Sequence, residues 1–159
     1  MAEVTCAIEH SDAVLELRRS VLRPDRPAAE SVYPTDDHPL TGHAVARDQD
    51  GNVVGVATVA VDPAPALIET GVEVAHQWRL RGMATAESVR GTGVGRQLLS
   101  LATEHARAKG AELIWCNARL AAVGFYERAG WLVVSDLFDL PHIGPHHVMC
   151  EALDALEHN

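Results

Sequence analysis

Three alternating glycines, Gly91, Gly93 and Gly95, stand where a strand-like run gives way to a helix-like one, and this junction limits the possible folds more than any other segment. The strand pattern covers about residues 77–86. The helix pattern covers about residues 93–109, with Val94, Leu98, Leu101, Ala102 and His105 near one face and Gly110 as the stop. The first turn of such a helix has N–H groups without intrahelical acceptors and a partial positive charge. Glycines let the backbone bend there and remove the side chains that would keep an anion away. Phosphate or pyrophosphate is the matching guest. Arg90 and Arg96 add cationic charge beside it. Two nucleotide fingerprints fail on spacing. A G-x-G-x-x-G count from Gly91 or Gly93 ends on Arg96 or Leu98, and the Gly-Lys-Ser/Thr of a P-loop is absent. The plainer alternative is a tight turn with no ligand; the two arginines favour the anion.

The remaining pattern is a mixed α/β chain. Val4, Cys6 and Ile8 alternate as one face of a strand. Ser11 is placed to cap a helix to about residue 22, with Val14, Leu17 and Val21 inside and Pro24 preventing its continuation. Residues 44–47 and 53–61 read as a hairpin around Asp48-Gln49-Asp50-Gly51-Asn52. Gly82, inside the long strand, marks a bulge or a close backbone approach. A strand at 112–116, a helix at 120–129 closed by Gly130, and strands at 131–139 and 147–152 complete the order, with 140–146 as a loop. Residues 23–42, with prolines at 24, 27, 34 and 39, are irregular and suit a substrate-facing flap as well as a plain connection.

The chain has 159 residues, the size of one domain, and residues 1–159 are read as such. A net charge of −9 opposes binding to nucleic acid or an anionic membrane surface and suits a cationic substrate such as an amine. No run approaches the roughly 20 apolar residues of a membrane span. The first residues show no secretory pattern, and Cys6, Cys116 and Cys150 fit free thiols, so a cytoplasmic location is expected. His142, His146 and His147 crowd one loop, yet no strong metal-ligand spacing is present, and no metal is expected.

The segment Arg90-Gly91-Thr92-Gly93-Val94-Gly95 resembles the pyrophosphate-binding signature Arg/Gln-x-x-Gly-x-Gly/Ala of the GCN5-related N-acetyltransferase (GNAT) superfamily. Met83-Ala84-Thr85 occupies the place of the Leu-Ala-Val that commonly precedes it. Downstream, Ala122-Val123-Gly124-Phe125-Tyr126 through Gly130-Trp131 is similar to a second segment of the family. The resemblance covers about the second half of the chain. It implies a central mixed, mostly antiparallel sheet of about six to seven strands flanked by about four helices. It implies acetyl-CoA as cosubstrate and an amine of a small molecule or peptide as acceptor, with a homodimer as a fair default. It implies pyrophosphate on the amides of Arg90, Gly91, Thr92, Gly93, Val94, Gly95 and Arg96. It further implies pantetheine along Met83, Ala84 and Thr85 and a CoA contact near Asn117. Tyr126 sits where the family often places the acid that protonates the leaving thiolate.

The base is not identified. Glu73, His76, Glu87, His142 and His147 are candidates by chemistry only, and arginines occupy Trp78-Arg79-Leu80-Arg81, where some relatives carry a glutamate. Two other readings stand beside the enzyme: an acyl-CoA-binding sensor that has lost catalysis, and a structural domain whose glycine turn is empty.

Overall fold

The computed structural model describes residues 3–153. Eight strands and three α-helices lie among them: β1 (Thr5–Glu9), α1 (Leu15–Leu22), β2 (Gly42–Arg47), β3 (Val53–Val61), β4 (Gln77–Thr85), α2 (Val94–Ala108), β5 (Leu113–Arg119), α3 (Val123–Arg128), β6 (Leu132–Val133), β7 (Phe138–Leu140) and β8 (Gly144–Ala152). The chain forms two compact units. One comprises residues up to Ala60 together with Leu80–Lys109; the other comprises Val61–Arg79 and the chain from Gly110 onward.

In the first unit, β1 pairs antiparallel with β2 from Thr5↔Arg47 to Glu9↔His43, and β2 pairs antiparallel with β3. The hairpin follows from Asp48, whose carboxylate accepts from the backbone N–H groups of Asp50 and Asn52 at 2.9 Å each. Adjacent residues of β3 face opposite ways. Val56 joins Val14, Val45 and Ala84 in the core under α1, with Leu17 and Val21 packed on it. Gly55 faces α2 instead: a Cβ there would stand 2.7 Å from Leu98 Cδ1. The glycine lets α2 lie close on the strand, where Leu98, Ala102 and Ala106 are fully buried.

Ser11 does not cap α1. A 3₁₀ turn, Ser11–Ala13, comes first; His10 Nδ1 accepts from Asp12 N–H, and Ser11 Oγ donates to Asp37 at 2.8 Å. Residues 23–42 are tied to the core at Ser31 and Asp36. The buried guanidinium of Arg18 donates to Ser31 O (2.7 Å), to both Asp36 oxygens (2.8 and 3.2 Å) and to Thr58 Oγ1 (2.7 Å).

In the second unit, Gln77–Arg79 of β4 pair in parallel with Leu113–Trp115. Strand β8 lies antiparallel to β5 from Leu113↔Ala152 to Arg119↔His146, and both β6 and β7 pair with β8. The expected strand at 131–139 is therefore two. Ser135 breaks it: its hydroxyl accepts from Val148 N–H at 2.7 Å and its carbonyl accepts from His147 Nδ1, so side chains replace the ladder. The expected loop at 140–146 shrinks to a tight tip between β7 and β8, with His142 at φ 67. The mixed, mostly antiparallel α/β reading holds.

Candidate functional site

The glycine junction folds as a 3₁₀ turn, Glu87–Val89, followed by Arg90, two left-handed glycines and the start of α2. Gly91 has φ 79 and Gly93 φ 90, conformations that cost other L-residues about 1–2 kcal/mol. Gln97 N–H is the first to reach back four residues, to Gly93 O at 3.1 Å. The amides of Val94, Gly95 and Arg96 thus precede the helical ladder. No side chain caps this end, and its first turn holds no acidic residue. A Cβ at Gly91 or Gly93 would meet nothing within 4 Å. Thr92 Oγ1 turns inward to donate to Val89 O, while Arg90 and Arg96 are exposed. The result is an open, positively polarised backbone surface, suited to an anion of several oxygens. Met83, Ala84 and Thr85 end β4 just before it. Ala84 is buried; Met83 and Thr85 are half-buried.

Strand β4 carries a bulge. Asp62 N–H bonds to Gln77 O, and Ala86 N–H bonds to Val54 O. Eight steps separate Val54 from Asp62, whereas nine separate Gln77 from Ala86, so β4 holds one extra residue. Gly82, at φ 69, is the residue whose backbone absorbs it. Its missing side chain matters as well: a Cβ would lie 3.0 Å from Arg18 Nε and 3.1 Å from Tyr33 Cε2.

In the second unit, Asn117 lies on β5 opposite Val148 and is half-buried. Tyr126 is on α3, 6% exposed, with its ring 5.2 Å from Trp131 and 5.1 Å from Phe125. Burial, and then the neighbouring Cys116, push the phenol's pKa well above its usual value, so it stays protonated.

Of the five residues named as possible bases, none is buried. His76 pairs with Glu112, His147 donates to Ser135 O, and Glu73, Glu87 and His142 are exposed. His146 is buried and donates through Nδ1 to Gly144 O. Among the described residues no group of three His, Cys, Asp or Glu side chains is arranged to hold a metal ion, and no helix is long and apolar enough to cross a membrane.

Sequence reasoning passed over two features of the first unit. One is the Arg18–Asp36–Tyr33 cluster beside Gly82. Its only sequence sign is an arginine on the apolar stripe of α1, between Leu17 and Val21. The other is a cleft of about 460 Å³ bordered by Glu9, Asp12, Asp36, Asp37, His38 and His43.

The sequence profile of the acetyltransferase (GNAT) family matches residues 11–131. The uncharacterized N-acetyltransferase YitI of Bacillus subtilis (strain 168) is 33% identical over 138 residues, which cover 87% of this chain and 89% of that protein. Among solved structures, an acyl-CoA N-acyltransferase from Pseudomonas aeruginosa superposes with a TM-score of 0.72 at 21% identity, over 94% of this chain and 100% of that one. A GCN5-related N-acetyltransferase from Kribbella flavida gives 0.70 at 23%, over 94% and 98%. At these identities the structures speak for the fold.

Proposed function

The chain belongs to the GNAT acetyltransferase family, and from that premise we propose that it transfers acetyl from acetyl-CoA to a primary amine of a small molecule or peptide, by direct attack in a ternary complex. That it is an N-acetyltransferase follows from the family; the acceptor and the ternary route are the proposal. The observation that carries it is the start of α2, where two left-handed glycines leave open space in front of amides that no helical carbonyl takes.

Acetyl-CoA supplies an acyl carbon activated as a thioester. Each part of the chain then has a task. The segment from Arg90 to Arg96 holds the pyrophosphate, chiefly through the amides of Val94, Gly95 and Arg96, since those of Arg90 and Thr92 already donate to Glu87 O and Val89 O, with the guanidinium groups of Arg90 and Arg96 beside it. The end of β4, Met83–Thr85, lines up the amide-bearing arm as an added strand and steadies negative charge on the acyl oxygen. Asn117 contributes a further polar contact. The incoming amine loses a proton to water or to a base not yet identified. As the new C–N bond forms and the C–S bond breaks, the Tyr126 phenol gives the departing sulfur its proton.

Two measurements test this. Acetyl-CoA at 100 times its Kd should stabilise the fold by about 2.7 kcal/mol, read as a rise in melting temperature. Thiol release should follow with some member of a panel of polyamines, amino sugars, amino acids and peptides. A melting temperature that ignores millimolar acetyl-CoA would remove the basis of the reading. The same reading takes residues 1–159 as one acetyltransferase domain in a cytoplasmic homodimer, which sedimentation and cell fractionation would check.

A further inference from the structure

We propose that the Tyr33 hydroxyl receives the acceptor's amine and passes the proton it sheds to water. This rests on the reading of β4 as the strand that presents the acyl donor, and it fills the one task that reading leaves without a residue.

Tyr33 follows the 3₁₀ turn Ala28–Ser31 and is only 8% exposed. Its backbone is tied on both sides. Tyr33 N–H donates to Asp36 Oδ2 at 2.8 Å, and Tyr33 O accepts from Asp36 N–H at 3.0 Å. Asp36 is itself held by two bonds from Arg18. The ring is fixed as well. The Arg18 carbon Cζ is 3.8 Å from its centroid, and the Arg81 Cζ is 3.7 Å from it. Both contacts are made by the face of the ring. Phenylalanine would make them too, so none of this packing needs the oxygen.

The oxygen has no hydrogen-bond partner among the described residues. A tyrosine this buried ordinarily finds one for its hydroxyl. Nor is the hydroxyl sealed in the core as Arg18 Nε and Ser31 Oγ are, so it meets solvent. A phenol at a wet edge accepts one hydrogen bond and donates another. A proton relay needs both.

Position decides what it relays. A Cβ at Gly82 would stand 3.2 Å from Tyr33 Oη, so the missing side chain lets the hydroxyl approach the strand at its bulge. The next residue is Met83, about 3.8 Å farther between Cα atoms, where that reading lays the thioester arm. An amine attacking there points an N–H at Tyr33 Oη. Its lone pair forms the C–N bond, and the C–S electron pair leaves with the sulfur. The surplus proton on nitrogen moves to Oη as the phenol's own proton moves to water, so Tyr33 ends the step unchanged. The sulfur takes the Tyr126 proton, which water restores. A ring locked before the amine arrives orients it without a further ordering cost.

The test is Tyr33→Phe, which keeps the ring and removes the oxygen. Thiol release with an amine that the wild type acetylates gives kcat, calorimetry gives acetyl-CoA affinity, and thermal unfolding gives the melting temperature. The variant should keep the wild-type melting temperature, bind acetyl-CoA within about twofold, and lose about tenfold or more in kcat, toward the ~10²–10⁴ that proton transfer by a placed side chain contributes. A smaller loss in kcat overturns the assignment. So does a loss that comes with a lower melting temperature or weaker acetyl-CoA binding, which would make the oxygen a part of the fold. A wild type that binds acetyl-CoA but acetylates no amine of the panel overturns it too. A wild type that does not bind acetyl-CoA overturns the parent reading as well, and calorimetry tells the two failures apart.

Discussion

Tyr126 touches Trp131 and Phe125 through its ring, so Tyr126→Phe removes the hydroxyl and leaves that packing in place. Turnover should fall on the order of 10²-fold or more while the melting temperature changes little; near-normal turnover removes the acid role. Because burial raises the phenol's pKa, its protonated form extends to higher pH than in water. An alkaline fall in kcat below about pH 10 would then belong to another group. Gly82→Ala acts differently. It adds left-handed strain of about 1–2 kcal/mol and drives a methyl group toward Arg18 Nε and Tyr33, so urea unfolding should show a loss at least that large. The sequence made Tyr126 visible through its neighbours in a motif. It hid Arg18, because a buried charge is intelligible only with its partner, and Asp36 is 18 residues away across a proline-rich stretch.

The turn between β4 and α2 was legible because its causes are local. Glycine spacing, flanking arginines and the change from strand to helix period all lie within a short window. A Gly93→Ala substitution tests the element as a unit. The new methyl occupies the open space, and the residue must still reach φ 90, so acetyl-CoA affinity should drop at least tenfold by calorimetry. A drop below twofold would mean that the phosphates rest elsewhere. The hairpin of β2 and β3 was equally plain, since Asp48 needs only its own turn to satisfy it. Beyond Trp131 the reading failed for the opposite reason. Residues 131–139 look like one strand until Ser135 meets Val148 and His147, partners that only the folded β8 supplies. The bulge in β4 was half legible: Gly82 announced it, but the extra residue is seen only against β3.

At the scale of the molecule, charge and connectivity govern behaviour. The chain leaves its first unit after Ala60, returns at Leu80 and leaves again after Lys109, so no single cut separates the two units. Acid sensitivity should begin at the edge of the first. Glu9 has its pKa lowered, chiefly by the hydrogen bond from Arg47, with β1 held to β2 by that pair. A lowered carboxylate pKa contributes stability above the unfolded value, near 4.3, and loses it as pH falls through the folded value. Melting temperature should therefore decline in that window for the wild type and less steeply for Glu9→Gln. Arg18 sets a different expectation for residues 23–42. A long irregular stretch between strands and helices would ordinarily be an early place for a protease to cut. Here one guanidinium grips its carbonyl at Ser31 and its carboxylate at Asp36, both from within the core. The amide of Tyr33 should exchange its hydrogen as slowly as those of the neighbouring strands, and limited digestion should spare the segment until the strands themselves come apart.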